Sequence, residues 1–316
     1  VNLMQSNSTK SLIEVALLAA INVILSLMAI YMPIMGTFAT LVWPVPIVIL
    51  VVRHGIRTAT LSMIVAGIIV AMVSGPFQAV GIVLGFGILG LVIGWTIKKD
   101  ASPFKVIAFG SVASMISILI LMLISMWVMG INPITQELDI LKESISMTTE
   151  FYNKLGVDPK AIETTVESFN KALDILPLII PAIFIIASVF DAFLTYMITK
   201  AVMSRMGQKL RDFTPFVLWR FPDYTVAIFL LGSVLVMLEP YWPKGILKAI
   251  GMNLVIVFGC ILFLQGLSLL TYYLAKFNVG KFFRAIIAFF VLFNPLFLQI
   301  VFFAGFFDVL FNFRKI

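Results

Sequence analysis

Residues 104–129 read FKVIAFGSVASMISILILMLISMWVM, and beyond Lys105 the stretch carries no charge and no proline. From Val106 to Met129 a helix rising about 1.5 Å per residue reaches roughly 36 Å, enough to cross the hydrocarbon of a bilayer. Backbone groups in hydrocarbon have no water to bond, so the stretch has to satisfy itself as a helix. Working outward, eight more apolar runs cover residues 12–30, 34–52, 58–73, 78–97, 177–199, 224–239, 246–275 and 283–313. Over its 316 residues the chain is 61% hydrophobic and only 12% charged, with mean hydropathy +1.12. A soluble domain carries about 25% charged residues. A soluble enzyme or a nucleic-acid-binding module is therefore excluded, and the expected fold is all-α: a polytopic transmembrane bundle of about nine or ten spans in a lipid bilayer.

The net charge of +7 comes from short basic clusters between apolar runs. Lys10, Arg53/Arg57, Lys98/Lys99/Lys105 and Lys200/Arg205/Lys209/Arg211 fall on one side if the first six runs each cross once, and the positive-inside bias makes that side cytoplasmic. The first run follows Lys10 and no A-x-A signal follows it, so it reads as a retained helix with a cytoplasmic N-terminus. Run 283–313, at roughly 46 Å, is too long for one crossing and short for two. Asn294-Pro295 interrupts it, which predicts a tight helical hairpin returning Arg314 and Lys315 to the cytoplasm. Lys142, Lys154, Lys160, Lys171, Lys244 and Lys248 are then outside.

This pattern divides the chain into a six-helix membrane unit (1–129 and 177–200), an extracellular insert (130–176), a cytoplasmic elbow (201–223) and a C-terminal transmembrane unit (224–316). In the insert, Ile134, Leu138, Leu141, Ile145 and Tyr152 recur at helical spacing. After Gly156, Asp158-Pro159 opens a second helix striped by Ile162, Val166, Phe169 and Leu173. The helix-turn-helix is anionic, and serves as a solvated spacer or as a lid. The elbow mixes Arg205, Lys209, Arg211 and Arg220 with Phe213, Phe216 and Trp219, a composition suited to the headgroup layer or to docking a cytoplasmic partner.

Few residues inside the spans are polar. Ser11-x-x-Glu14 has capping-box spacing. Ala16 and Ala20 form a small-xxx-small face, for a helix of this chain or of a separate subunit. Asn22 and Ser26 lie one turn apart, and Trp43-Pro44-Val45-Pro46 breaks the second run, to line a cavity or to form a filled kink. Arg53-His54-Gly55-x-Arg57 reads as a basic turn, with no acid adjoining His54 in sequence. Asp191 is read as the one carboxylate well inside a span, a candidate for coupling or for a buried polar network. Gln265, Ser268 and Tyr272 share one helix face, the pattern of polar groups that join membrane helices.

No catalytic arrangement emerges, so an enzyme is not expected. One cysteine (Cys260) and one histidine (His54) exclude a disulfide and make a metal site improbable, and no phosphate-binding P-loop is present. No cofactor is expected. The glycines from Gly81 to Gly94 read as a helix-packing face.

Taken together, several motifs resemble the YybS family of uncharacterised bacterial membrane proteins. They are Glu14-Val-Ala-Leu-Leu-Ala-Ala, Trp-Pro-x-Pro at 43–46, Arg-His-Gly-x-Arg at 53–57, the helical insert, Gln-Gly-Leu-Ser at 265–268, and Gly305-x-x-Asp308-x-x-x-x-Phe313-Arg-Lys. The resemblance implies a bacterial cytoplasmic membrane. The first six runs also resemble, more weakly, the S components of energy-coupling-factor vitamin transporters, although this chain continues for about 115 residues beyond six spans. That likeness implies docking of Ala16 and Ala20 on a transmembrane coupling subunit with ATPases. It also implies an unknown small-molecule ligand held near the outer ends by Trp43, Gln78, Trp127 and Asn132.

Overall fold

A computed structural model describes residues 2–241 and 245–315, with side chains from residue 9 onward. Lys244 lies outside the described residues. The first helices are α1 (Asn2–Tyr31), α2 (Pro33–Val42), α3 (Pro44–His54), α4 (Ile56–Ser74), α5 (Pro76–Lys98) and α6 (Pro103–Val128). They are followed by α7 (Pro133–Lys154), α8 (Pro159–Arg205), α9 (Tyr224–Leu238), α10 (Ile246–Lys276), α11 (Lys281–Phe293) and α12 (Pro295–Phe311). No strand occurs among the described residues. Seven of these helices open on proline, whose fixed φ suits a first turn and whose missing N–H would be unpaired there anyway. Gly55 and Gly75, at φ +93° and +94°, bracket α4 and turn the chain where a side chain would be strained.

Among the described residues eight helices are long and apolar enough to span a membrane, counting α2 and α3 as one, or nine if the bent pair α11–α12 forms one span. Run 283–313 does break at Asn294-Pro295, where Asn294 Oδ1 accepts from the N–H groups of Leu296 (3.0 Å) and Phe297 (3.4 Å). Its arms, however, meet at a 109° bend, so the expected tight hairpin is corrected. Arms of 13 and 17 residues reach roughly 20 and 26 Å, each short of a bilayer's apolar core.

The chain forms two compact units, residues 1–140 with 184–212, and residues 141–183 with 213–316. In the first, α3 is the central helix, and every residue from Pro44 to Val51 is buried. It packs on α4 and α5, and Trp43, Ile47, Leu50 and Val51 form a core with Ala59 and Met63 of α4. Glycines of α5 allow the approach. A Cβ on Gly90 would lie 2.9 Å from the Pro44 carbonyl, and one on Gly94 would lie 2.5 Å from Val51 Cβ. The glycine face expected from sequence is thus a packing face, while Gly81, at its far end, meets nothing within 4 Å.

In the second unit α10 packs on α9 and α12. A Cβ on Gly305 would sit 2.0 Å from the Leu262 carbonyl, so the α10 and α12 backbones touch there. α8 is one helix of 47 residues with Pro177 and Pro181 inside it, whereas the sequence suggested that the insert ends before a separate sixth span. The proline break is bridged by Asn253 of α10, which accepts from the Ala182 N–H (2.6 Å) and donates to the Leu178 carbonyl (2.6 Å). α7 carries no buried side chain.

Close backbone contact makes a clear demand. Gly305→Ala should destabilise the protein by about 1–3 kcal/mol through overpacking. Gly81→Ala, in open space, should be neutral or mildly stabilising. Thermal melting of both variants in detergent checks the contrast.

Candidate functional site

The densest polar cluster lies in the second unit, around a pair that sequence reasoning treated apart. α12 ends at Phe311, and Asn312, at φ +46°, turns the chain so that Arg314 folds back on Asp308. Arg314 Nη2 lies 2.8 Å from Asp308 Oδ2, and Nε lies 3.2 Å from the same oxygen. The side chains are 1% and 2% exposed, respectively. Nη1 also donates to the Val217 carbonyl and to Ser268 Oγ, both at 2.8 Å, and Nη2 to the Trp219 carbonyl at 2.7 Å. All five guanidinium N–H groups are thereby used. Tyr272 adds its ring face, 5.9 Å from the guanidinium carbon.

Gln265 and Ser268 complete the cluster from α10. Gln265 Nε2 donates to Asp308 Oδ2 (2.5 Å), and its Oε1 accepts from the Phe221 N–H (3.0 Å). Ser268 Oγ donates to the Phe216 carbonyl (2.7 Å). The sequence suggested that Gln265 and Ser268 join membrane helices; Gln265 reaches α12 through Asp308, and the other contacts of the pair go to the elbow. Their main partner is the irregular elbow backbone, where Trp219 stacks edgewise on Phe216 and Phe221. Asp191 is consequently not the one carboxylate inside an apolar run, since Asp308 is more deeply buried than it. The available signal was an aspartate in run 283–313 with no cation within a helical turn, facing a helix with a polar stripe.

In the first unit Asp191 is partly buried and accepts from Ser114 Oγ of α6 (3.1 Å). Ser188, on the same helix as Asp191, directs its Oγ to Met115 Sδ at 4.0 Å. A second cluster joins α1 to the basic turn. Glu14 Oε1 lies 2.6 Å from Arg53 Nη1, Glu14 Oε2 lies 3.0 Å from His54 Nε2, and Ser11 Oγ lies 2.9 Å from His54 Nδ1. The capping-box reading of Ser11 and Glu14 is corrected, because α1 already begins at Asn2 and both residues are interior to it. His54 does have an acidic neighbour, supplied by another helix.

The four proposed solute residues are not assembled into one cavity. Trp43 is fully buried, and its indole donates to Ser26 Oγ at 2.8 Å, so the broken second run is a filled kink. Ser26 in turn donates to the Asn22 carbonyl (2.8 Å). Gln78 is exposed, Trp127 is 89% exposed, and Asn132 Oδ1 accepts from the Ile134 N–H at the start of α7. Ala16 and Ala20 are both exposed, and within the first unit no described helix covers them.

A family of predicted membrane proteins, DUF2232, matches residues 20–309. The chain belongs to the DUF2232 family. The protein described as uncharacterized protein YybS, of Bacillus subtilis (strain 168), is 25% identical over 307 residues, covering 97% of this chain and 98% of the relative. No solved structure matches the chain. The DUF2232 match contains Trp43, His54, Asp191, Gln265, Ser268 and Asp308.

Because the Asp308–Arg314 pair is buried, removing one partner leaves an uncompensated charge. Arg314→Leu should cost about 3–5 kcal/mol, and the double variant Asp308→Leu/Arg314→Leu should be less destabilised than Arg314→Leu alone. Denaturant or thermal unfolding of the purified variants measures both. A double variant as unstable as the sum of the singles would show that the two side chains act independently.

Proposed function

We propose that this membrane protein is a non-enzymatic subunit resembling S components, docked through α1 on a transmembrane coupling subunit with ATPases and binding a small solute. The observation that supports the reading is the open face of α1. Ala16 and Ala20 are uncovered and flanked by exposed Leu12, Ile13 and Leu17, while the opposite side of the helix is taken up by Glu14, Asn22 and Ser26. Small residues spaced by one turn let a second helix approach closely in lipid. A second reading, a structural or regulatory scaffold without transport, is favoured by the scatter of Trp43, Gln78, Trp127 and Asn132. Both readings place the protein in the bacterial cytoplasmic membrane with its basic loops inside.

Under either reading Ala16→Leu/Ala20→Leu should leave the melting temperature of the isolated protein unchanged, because the face is open. The substitution should abolish co-purification of the partner from native membranes. An ATPase pair lost with the substitution supports transport, and retained association rejects docking through α1.

Orientation has its own check. Cysteine introduced at Lys154 should react with an impermeant thiol reagent on intact cells, while cysteines at Lys98 and Lys315 should not. Lys315 is the useful C-terminal probe because it is exposed, whereas Arg314 is sealed in its cluster.

A further inference from the structure

We propose that a cavity at the Lys98 end of the first unit binds a phosphate-bearing anion, either the headgroup of an anionic lipid or a free phosphate. The cavity, of about 360 Å³, falls within the usual range for ligand pockets. It is half-open and lined by the ends of α3, α5 and α8, the turn between α5 and α6, and the strap at residues 208–211. Three cations, Lys98, Lys209 and Arg211, line it against one carboxylate, Asp100.

That carboxylate is already committed. Asp100 pairs with the Arg211 guanidinium, and the Tyr196 hydroxyl donates to the Arg211 carbonyl at 2.6 Å. These bonds tie the strap to the α5–α6 turn and to α8. Asp212, the carboxylate that follows, is held below the usual carboxylate range by the Lys200 ammonium, with a smaller contribution from Lys209. Among the described residues, neither Lys98 nor Lys209 forms a salt bridge. A lysine in the last turn of α5 suits the negative end of the helix dipole. Lys209 belongs to no helix, and its charge is shared at longer range with Asp212 rather than neutralised in a salt bridge.

The geometry around Lys98 extends the argument. Its ammonium reaches across to the turn between α3 and α4, 3.6 Å from where a Cβ on Gly55 would stand. There it also lines a second cavity of about 350 Å³ with Val51, Ile56, Trp95 and Lys99. Apolar walls, an exposed tryptophan and unpaired lysines at the end of a span suit an amphiphile with an anionic head.

The test uses the full chain in a neutral detergent, melted with added phosphatidylglycerol, phosphatidylcholine or inorganic phosphate. Phosphatidylglycerol should raise the melting temperature and phosphatidylcholine should not. Lys98→Gln/Lys209→Gln should weaken the phosphatidylglycerol response about thirtyfold in apparent affinity. Lys105→Gln, on the neighbouring α6 but outside the cavity, should match wild type. If inorganic phosphate reproduces the stabilisation with the same dependence on the two lysines, the anion is a soluble phosphate rather than a lipid. Equal responses to the two lipids, or an undiminished response in the double variant, would overturn the proposal. Should that variant not fold, native mass spectrometry of wild type released from equimolar lipid nanodiscs decides. Preferential retention of phosphatidylglycerol supports the site, and no preference overturns it.

Discussion

Inside hydrocarbon, two apolar helix faces gain little by meeting that lipid does not offer each separately, so association depends on close packing and on polar groups with no other partner. Each unit follows from this constraint. In the first, Gly90 and Gly94 let α5 lie against α3 nearly backbone to backbone. In the second, Gly266 and Gly305 do the same for α10 and α12, and the residues flanking that contact, Gln265 and Ser268, are polar. The close approach and the hydrogen bonds are coupled. With bulky side chains at the crossing, Gln265 Nε2 would not reach Asp308.

Prolines impose the complementary problem, since each removes a donor and leaves a carbonyl needing a partner in a solvent that has none. The chain resolves it by burying or bridging the broken backbone. Pro44 and Pro46 lie in α3, where no residue from 44 to 51 faces outward. The break near Pro181 in α8 is filled by the Asn253 amide, which donates to one peptide group and accepts from another. A leucine at 253 would pack there but satisfy neither.

The spans were legible because length and hydropathy are properties of contiguous sequence. The features that went unread are those in which the partner is distant. Ser11 and Glu14 match a local capping pattern, yet their partners Arg53 and His54 lie some 40 positions on. Trp43 looked like a cavity residue until Ser26, on another helix, took its indole. Asn294-Pro295 located the bend but not its angle, because the angle is set by how α12 packs on α10. Asp308 was diluted in a long apolar run, and its cation lies beyond a left-handed Asn312 that no periodicity announces. Ala16 and Ala20 have the spacing of a contact face, but spacing alone carries no information about a partner.

Why an ion pair occupies the second unit's polar cluster is an energetic question, because a buried pair is often replaceable by apolar side chains without loss. The elbow supplies the answer. Between α8 and α9 the backbone is largely non-helical; the carbonyls of Phe216 and Trp219 accept from Ser268 of α10, and those of Val217 and Trp219 accept from Arg314. Carbonyls turned away from water need donors, and leucine in place of Arg314 would supply none. A lysine offers three donors around a point charge, whereas the planar guanidinium offers five in a fixed fork. Two of the five go to Asp308, which balances the charge, and three remain for the elbow carbonyls and Ser268. The ion pair is thus the device by which an irregular turn is held against a membrane helix, and Asp308 is the counter-charge that makes a buried arginine tolerable there.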